Sequence, residues 1–530
     1  MKKITISIIF LLVSIMLFAQ SNRSNLRENI SKYTQLLYLI DTYYLDTVKM
    51  EKLVDEAIFS TIKELDPHSA YITKEDVKAM SEPLEGEFEG IGIEFAIIND
   101  TLTVQATISG GPSETVGLLA GDKILAVDNE EIAGKSITND KVFKLLRGAK
   151  GTKVALDVLR EGANLEFVVV RDKIPLYSVD AAYFIQGGIY YIKLSRFAMS
   201  SGEEIAKALL SAEKPIQGVV LDLRGNAGGY LHTAIEIADQ FLKKDQLIVY
   251  TEGRNIYPLR ESATGKGFYQ DNPLVVLIDE NSASSSEIVA GAIQDWDRGI
   301  LIGRRSFGKG LVQRQMELPD GSMVRLTVAR YHTPSGRVIQ MPYQKGDAKD
   351  YYLNHYKRYE NGEMYSRDSI HFADSLKYKT LDKGRVVYGG GGIMPDIFVP
   401  SDTTSFSDFY ANLLRKGVII SFINDYADKN RKNLSTNYVN IDKFVAKFEI
   451  SDKMFISMIE YAKTKGIEPK GGEIEKSKSD MKLYMKALLS RHIFDSDTYY
   501  KVMNSDKNDM LNKAIDVINN WDKYSKEIYD

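Results

Sequence analysis

The residues able to do chemistry cluster in four short segments. Asn281-Ser282-Ala283-Ser284-Ser285-Ser286-Glu287 places four hydroxyls between an apolar run, Leu274–Ile278, and the helix-like stretch Ile288-Val289-Ala290-Gly291-Ala292-Ile293. A hydroxyl at such a turn lies near a helix N-terminus, whose unpaired N–H groups favour a developing oxyanion. Serine is also a common helix cap, so the serines alone admit either reading. Lys309 adds a second component. It stands between Gly308 and Gly310 in Gly303-Arg304-Arg305-Ser306-Phe307-Gly308-Lys309-Gly310-Leu311-Val312-Gln313, a segment too tight for an ordinary solvated lysine. Upstream, Asp222-Leu223-Arg224-Gly225-Asn226-Ala227-Gly228-Gly229 is a glycine-rich turn leaving another apolar run. Downstream lies Arg330-Tyr331-His332-Thr333-Pro334-Ser335-Gly336-Arg337-Val338-Ile339-Gln340. A serine hydroxyl becomes a useful nucleophile when a neighbouring base takes its proton. For lysine to serve near pH 7, its pKa must fall by roughly three units from about 10.4, a shift that burial can supply.

Composition narrows the alternatives. The 530 residues contain no cysteine and six histidines, which excludes disulfides, thiolate metal sites and cysteine catalysis. Sixty-eight basic against 72 acidic residues, a net charge of −4, give no global drive toward nucleic acid. Hydrophobic residues at 44% and charged residues at 26% exclude wholesale disorder. No metal and no organic cofactor is expected.

The elements that must position these segments are read from pattern. Met1-Lys2-Lys3, the apolar run Ile4 to Phe18 and Ala19 have the shape of a signal peptide over residues 1–19. The chain is therefore expected to be exported and periplasmic, or membrane-associated if that segment is not cleaved. Residues 20–85 read as helical, with Leu53, Val54, Ala57, Ile58 and Ile62 at helical spacing. From 86 to 172, short alternating runs bounded by glycine indicate a β-rich module with one helix, Asp140 to Leu146. From 173 to 400, strands and helices alternate, and the runs Gly218–Leu223 and Leu274–Ile278 suit strands buried on both faces. Residues 401–530 are almost free of glycine and read as a helical C-terminal region.

The β-rich module resembles a PDZ domain. The resemblance lies in Glu89-Gly90-Ile91-Gly92-Ile93-Glu94-Phe95, Gly110-Gly111-Pro112, Gly117 to Leu125, and Leu145-Leu146-Arg147-Gly148, in that order. Gly90, Ile91, Gly92 and Ile93 are then expected to converge backbone N–H groups on a peptide's terminal carboxylate, the next strand accepting the peptide as an added strand.

The segments from about Asp41 to Pro400, including Leu65-Asp66-Pro67-His68-Ser69 and Gly392-Ile393-Met394-Pro395-Asp396, together resemble the carboxyl-terminal processing (tail-specific) serine proteases of the S41 type. The resemblance implies a multidomain α/β protein with an N-terminal helical segment, a PDZ domain and a protease core of the ClpP/crotonase-like type; the helical C-terminal region after 401 lies outside it. It implies a Ser/Lys dyad. The family's nucleophile stands 25 residues before its lysine, which gives Ser284 for Lys309. Gln313 matches a glutamine that helps position the lysine. Ser285 and either Gly228 or Gly229 are implied as backbone donors to the oxyanion. Ser285 stands where alanine is usual, and Gly225 and Ala227 replace an asparagine and a proline of the family's glycine-rich loop. Asp295 falls where several members carry an acidic residue and reads as structural. The implied partners are protein substrates with exposed C-terminal tails, which the PDZ domain selects or gates; separately, an adaptor or self-association is expected at the C-terminal helical region.

Other chemistries fit less well. A Ser-His-Asp hydrolase lacks its Gly-x-Ser-x-Gly elbow, and a zincin lacks His-Glu-x-x-His. Ser306-Phe307-Gly308-Lys309 fits the Ser-x-x-Lys of penicillin-interacting enzymes, but the companion Ser-Asp-Asn and Lys-Thr-Gly motifs are missing. The non-enzymatic rival is a PDZ scaffold on an inactive core, against which Ser284, Lys309 and Gln313 all stand intact.

Overall fold

The computed structural model describes residues 25–108, 110–494, 496–505 and 508–529. The expected signal peptide, residues 1–19, lies outside the described residues. Among the described residues, no helix is long and apolar enough to cross a membrane.

The segments singled out from sequence hang from one six-stranded sheet. Its order is Val179–Phe184, Ile189–Leu194, Gly218–Asp222, Leu274–Ile278, Ile300–Gly303 and Ile397–Phe398. The first pair is antiparallel and the others are parallel, with Ile192 beside Leu221, Leu221 beside Val276 and Val276 beside Leu301. Every residue of the four central strands is buried, which is why these strands are continuous apolar runs. One face packs on the helices Ser201–Leu210, Leu231–Asp239 and Ser285–Asp295, through Ile205, Ile237, Val289 and Ile293. The other face is covered by the chain's last helices, Asp509–Asn519 and Trp521–Tyr529, where Met510, Leu511, Ala514, Val517 and Ile518 meet Tyr191, Val220, Val275 and Ile302. This sheet thus draws its second layer from helices about 200 residues downstream of its Ile300–Gly303 strand.

A second sheet lies beside the first and carries the lysine. Leu311–Glu317 pairs antiparallel with Met323–His332, with Gln313 opposite Thr327 and a bulge between Val312 and Gln313. Ala70–Ile72, a short strand within the otherwise helical N-terminal region, pairs with the same long strand at Ala70–Arg325. It brings the Asp66-Pro67-His68-Ser69 loop to the sheet: Asp66 accepts from Thr327 Oγ1 at 2.9 Å, and the Thr327 N–H donates to Ser69 Oγ at 3.0 Å.

The PDZ-like module is a separate sheet in the order Ile93–Ile98, Thr101–Thr107, Lys123–Val127, Lys153–Arg160 and Ala163–Val170. Lys153–Arg160 buries alternate residues, Val154, Leu156 and Val158, against Val142 and Leu146 of the Asn139–Leu146 helix. Among the described residues, Ile93–Ile98 pairs with Thr101–Thr107 alone and forms an edge of the sheet. Glu87–Gly90 pairs antiparallel with Asp172–Pro175, closing a two-stranded neck where the module leaves and rejoins the chain. Helices from Asp408 to Ile493 pack on each other around Leu413, Ile419, Ile423, Met458, Met481, Met485 and Leu489.

Candidate active site

Ser284 is the residue at which the chain turns from the Leu274–Ile278 strand into the Ser285–Asp295 helix. It lies at φ 56° and ψ −113°, a conformation that residues with a side chain seldom adopt and that needs surrounding bonds to hold it. Its N–H donates to Glu287 Oε2 at 2.8 Å, and the Glu287 N–H donates to the Ser284 carbonyl at 2.8 Å. The neighbouring hydroxyls are committed. Ser282 donates to the Leu223 carbonyl at 2.9 Å, Ser285 to the Gly229 carbonyl at 3.0 Å and Ser286 to the Asn226 carbonyl at 2.8 Å. These bonds stitch the serine turn onto the glycine turn. Among the described residues, the Ser284 hydroxyl donates to no group.

The glycine turn lies against Ser284. A Cβ on Gly228, at φ +97°, would fall 2.8 Å from Ser284 Cβ and 2.9 Å from Ser285 N, so only glycine fits there. The Gly228 N–H is taken by Asn226 Oδ1 at 2.9 Å. The N–H groups of Gly229 and Ser285 meet no acceptor among the described residues. The turn is anchored at Asp222, the last residue of its strand, which is buried against Lys193 at 3.5 Å, Arg224 and the Tyr191 hydroxyl at 2.7 Å. Burial works to raise the Asp222 carboxyl, but Arg224 and Lys193 outweigh it and hold it well below the usual range.

Glu287 joins the two halves of the site. It is fully buried, and its Oε2 accepts from both the Ser284 N–H (2.8 Å) and the Lys309 N–H (2.9 Å). Its Oε1 accepts from the Gly308 N–H at 2.7 Å and from the Ser306 hydroxyl. Burial pushes this carboxyl up to about 7 in spite of the four donors that favour its ionised form. The Tyr331 hydroxyl lies between the carbonyls of Ser284, at 3.2 Å, and Lys309 and makes a second tie. Neither residue was singled out from sequence. The Ser-x-x-Glu spacing of a capping box, Ser284 to Glu287, was the available signal for the carboxylate.

Lys309 is half-buried, and its ammonium is brought down to about 8, chiefly by burial and then by Arg325, with Glu287 and Asp66 opposing. His68, in the loop beside it, falls to about 4 through burial and the Lys309 charge, and hydrogen-bonds Tyr351 at 3.1 Å. Its imidazole is neutral at pH 7. Gln313 directs its amide to Thr327 Oγ1 at 3.4 Å, and Thr327 in turn donates to Asp66. Asp295 is fully buried in an ion pair with Arg337 at 2.7 Å and accepts from the Ser335 N–H at 2.9 Å.

In the module, Gly90 is the last residue of the neck strand, opposite Asp172, and the Ile91 side chain is buried in the core of the sheet. The Ile91 carbonyl accepts from Ser113, and Gly92 turns at φ +76°. The N–H groups of Ile91 and Gly92 meet no acceptor among the described residues, whereas Ile93 is already in the edge strand.

The tie through Glu287 can be tested by removing its charge. Glu287→Gln leaves one acceptor oxygen and an NH2 group among four donors, at a cost of about 1–3 kcal/mol or more. The expected result is a lower melting temperature together with a loss of kcat of about a hundredfold. Unchanged melting and turnover would show that the carboxylate ties nothing that matters.

Three family models match parts of the chain. The model of peptidase family S41 matches residues 188–350, that of the PDZ domain residues 90–170, and that of a family of unknown function, DUF8443, residues 409–495. The carboxy-terminal-processing protease of Bartonella bacilliformis is 37% identical over 344 residues, covering 63% of this chain and 78% of that protein. The carboxy-terminal processing protease CtpB of Bacillus subtilis is 37% identical over 329 residues, covering 61% and 67%. Among solved structures, the photosystem II D1 C-terminal processing protease matches at 27% identity and TM-score 0.32, over 58% of this chain and 89% of that one. A PDZ domain of a Vibrio cholerae carboxy-terminal protease, solved with a peptide, matches at 33% identity and TM-score 0.16, over 17% of this chain and 99% of that one. The chain belongs to the carboxy-terminal-processing proteases of peptidase family S41.

Proposed function

We propose that this protein is a serine endopeptidase that cleaves exported proteins near their C-termini, with Ser284 as nucleophile and Lys309 as general base. The observation that carries this reading is the single buried oxygen, Glu287 Oε2, that accepts from the backbone of both residues and so fixes them side by side. The Ser284 hydroxyl, which donates to no described group, and the depressed Lys309 ammonium support it from either side.

The steps follow from these groups. Neutral Lys309 takes the Ser284 proton as the hydroxyl oxygen attacks the scissile carbonyl carbon. The resulting oxyanion accepts from the open N–H groups of Ser285, at the start of the helix, and Gly229, with Gly228 giving the close approach. Lys309 passes its proton to the leaving amine, and the peptide C–N bond breaks. Lys309 then takes a proton from water as its oxygen attacks the acyl carbonyl carbon, and passes that proton to Ser284 Oγ as the ester C–O bond breaks. Gln313 supports the base from its strand through Thr327 and Asp66. Export rests on residues 1–19, and the C-terminal specificity rests on the module, whose open Ile91 and Gly92 N–H groups suit a terminal carboxylate.

The test of the specificity is one unstructured peptide in free-acid and amidated forms. Amidation removes the anion and leaves every side chain and scissile bond in place. Loss of one charge-assisted contact of about 1.5–3 kcal/mol should weaken recognition by roughly one to two orders of magnitude. Equal kcat/KM for the two forms would remove the tail from the reading and leave a general endopeptidase.

A further inference from the structure

The free edge of the PDZ sheet does not face open solvent. Opposite Phe95–Asp100, across a cleft of about 840 Å³, stand residues of the C-terminal helices, among them Lys416, Asp425, Tyr461 and Lys465. The two units are also joined at the start of the same strand, where Arg491 meets Glu94 at 3.2 Å. The cleft is lined by two carboxylates and two ammonium groups that do not pair with one another. Asp100 is committed to the N–H groups of Ser136 and Ile137 at 2.8 and 3.0 Å, and Asp425 is paired with Lys429 at 2.6 Å. Lys416 and Lys465 are exposed and make no ion pair with any described residue, Lys465 lying 5.3 Å over the Tyr461 ring. A strand edge with no hydrogen-bonded neighbour among the described residues thus shares the cleft with two ammonium groups that hold no described carboxylate.

We propose that this cleft binds the upstream part of a substrate's C-terminal segment, and that Lys416 and Lys465 select an acidic residue there. The inference rests on the reading of the module as a carboxylate binder. A peptide whose terminus is held at Ile91 and Gly92 runs antiparallel to Ile93–Ile98 as an added strand, at about 3.3–3.4 Å per residue. Its residues about four to six from the end then lie beside Ile97 to Asn99, between the strand edge and the lysines. The C-terminal helices thus act as the second wall of the peptide groove.

The test uses the full-length Ser284→Ala protein and fluorescence anisotropy with four labelled peptides of one length and one apolar last residue. They carry either two glutamates or two lysines at the fourth to sixth positions from the end, each as free acid and as amide. At low salt the acidic free acid is expected to bind about fivefold or more tighter than its lysine counterpart, with the gap closing as salt rises. The double variant Lys416→Glu/Lys465→Glu should reverse the preference, and amidation should weaken both peptides alike. Equal binding of acidic and lysine free acids, with amidation still weakening both, overturns the second wall and leaves the carboxylate reading intact. Binding indifferent to amidation overturns the carboxylate reading and this proposal with it. A charge preference unchanged in the double variant places the acidic contact elsewhere and overturns the assignment to Lys416 and Lys465.

Discussion

Ser284→Ala is expected to abolish peptide cleavage, lowering kcat by at least about ten-thousandfold, the scale of losing a covalent nucleophile. The same change at Ser282, Ser285 or Ser286 should act differently. Those hydroxyls tie the serine turn to the glycine turn, so their loss should cost about 1 kcal/mol of stability each and leave measurable turnover. Ser284→Ala removes a hydroxyl that donates to no described group and serves only as an acceptor in the capping box with Glu287, so the melting temperature should fall by no more than the loss of one helix cap, about 1 kcal/mol. Residual turnover above about a hundredth of wild type would exclude Ser284 as nucleophile.

Lys309→Arg should be as inactive as Lys309→Ala, a loss of about a thousandfold or more, because a guanidinium stays protonated and accepts no proton. The arginine variant separates two roles that alanine does not. If Lys309 acted only by its charge, arginine would retain much of the activity, since its head group carries the same charge. The environment argues for the base. Burial and Arg325 both disfavour the ammonium, which is the wrong arrangement for a permanent cation. His68 beside it is neutral and bonded to Tyr351, so its imidazole is a neighbour of the lysine and holds no charge to repel it at pH 7.

The fold was legible where burial leaves a local trace. Gly218–Leu223 and Leu274–Ile278 could be read as strands because a strand covered on both faces has no polar positions to interrupt it. The alternation of Lys153–Arg160 likewise announces one buried face. Ala70–Ile72 left no such trace. Three residues are too few to show a period, and their partner strand lies some 250 positions downstream at Met323–Arg325. The amphipathic pattern of Asp509–Asn519 says that one face is buried but not against what, so its place on the protease sheet had to come from the structure. The site divides in the same way. Types and spacing draw attention to Ser284 and Lys309, but Tyr331 looks like any strand residue until its hydroxyl is found between their carbonyls. For Gln313, the family resemblance implied a part in positioning the lysine, and the structure directs its amide to Thr327.

The most direct test of the dyad is the pH dependence of covalent labelling of Ser284 by a fluorophosphonate, with the modified residue identified by peptide mass spectrometry. The ammonium must lose its proton before it can take another, so the reactive form is scarce below the Lys309 pKa and dominant above it. With that pKa brought down to about 8, the labelling rate should rise about tenfold per pH unit up to pH 7 and level off above pH 8 to 9. In Lys309→Ala the rise should vanish along with most of the rate. A rate independent of pH across that range in the wild-type protein, or a label found on Ser282, Ser285 or Ser286, would contradict the activation of Ser284 by a neutral Lys309.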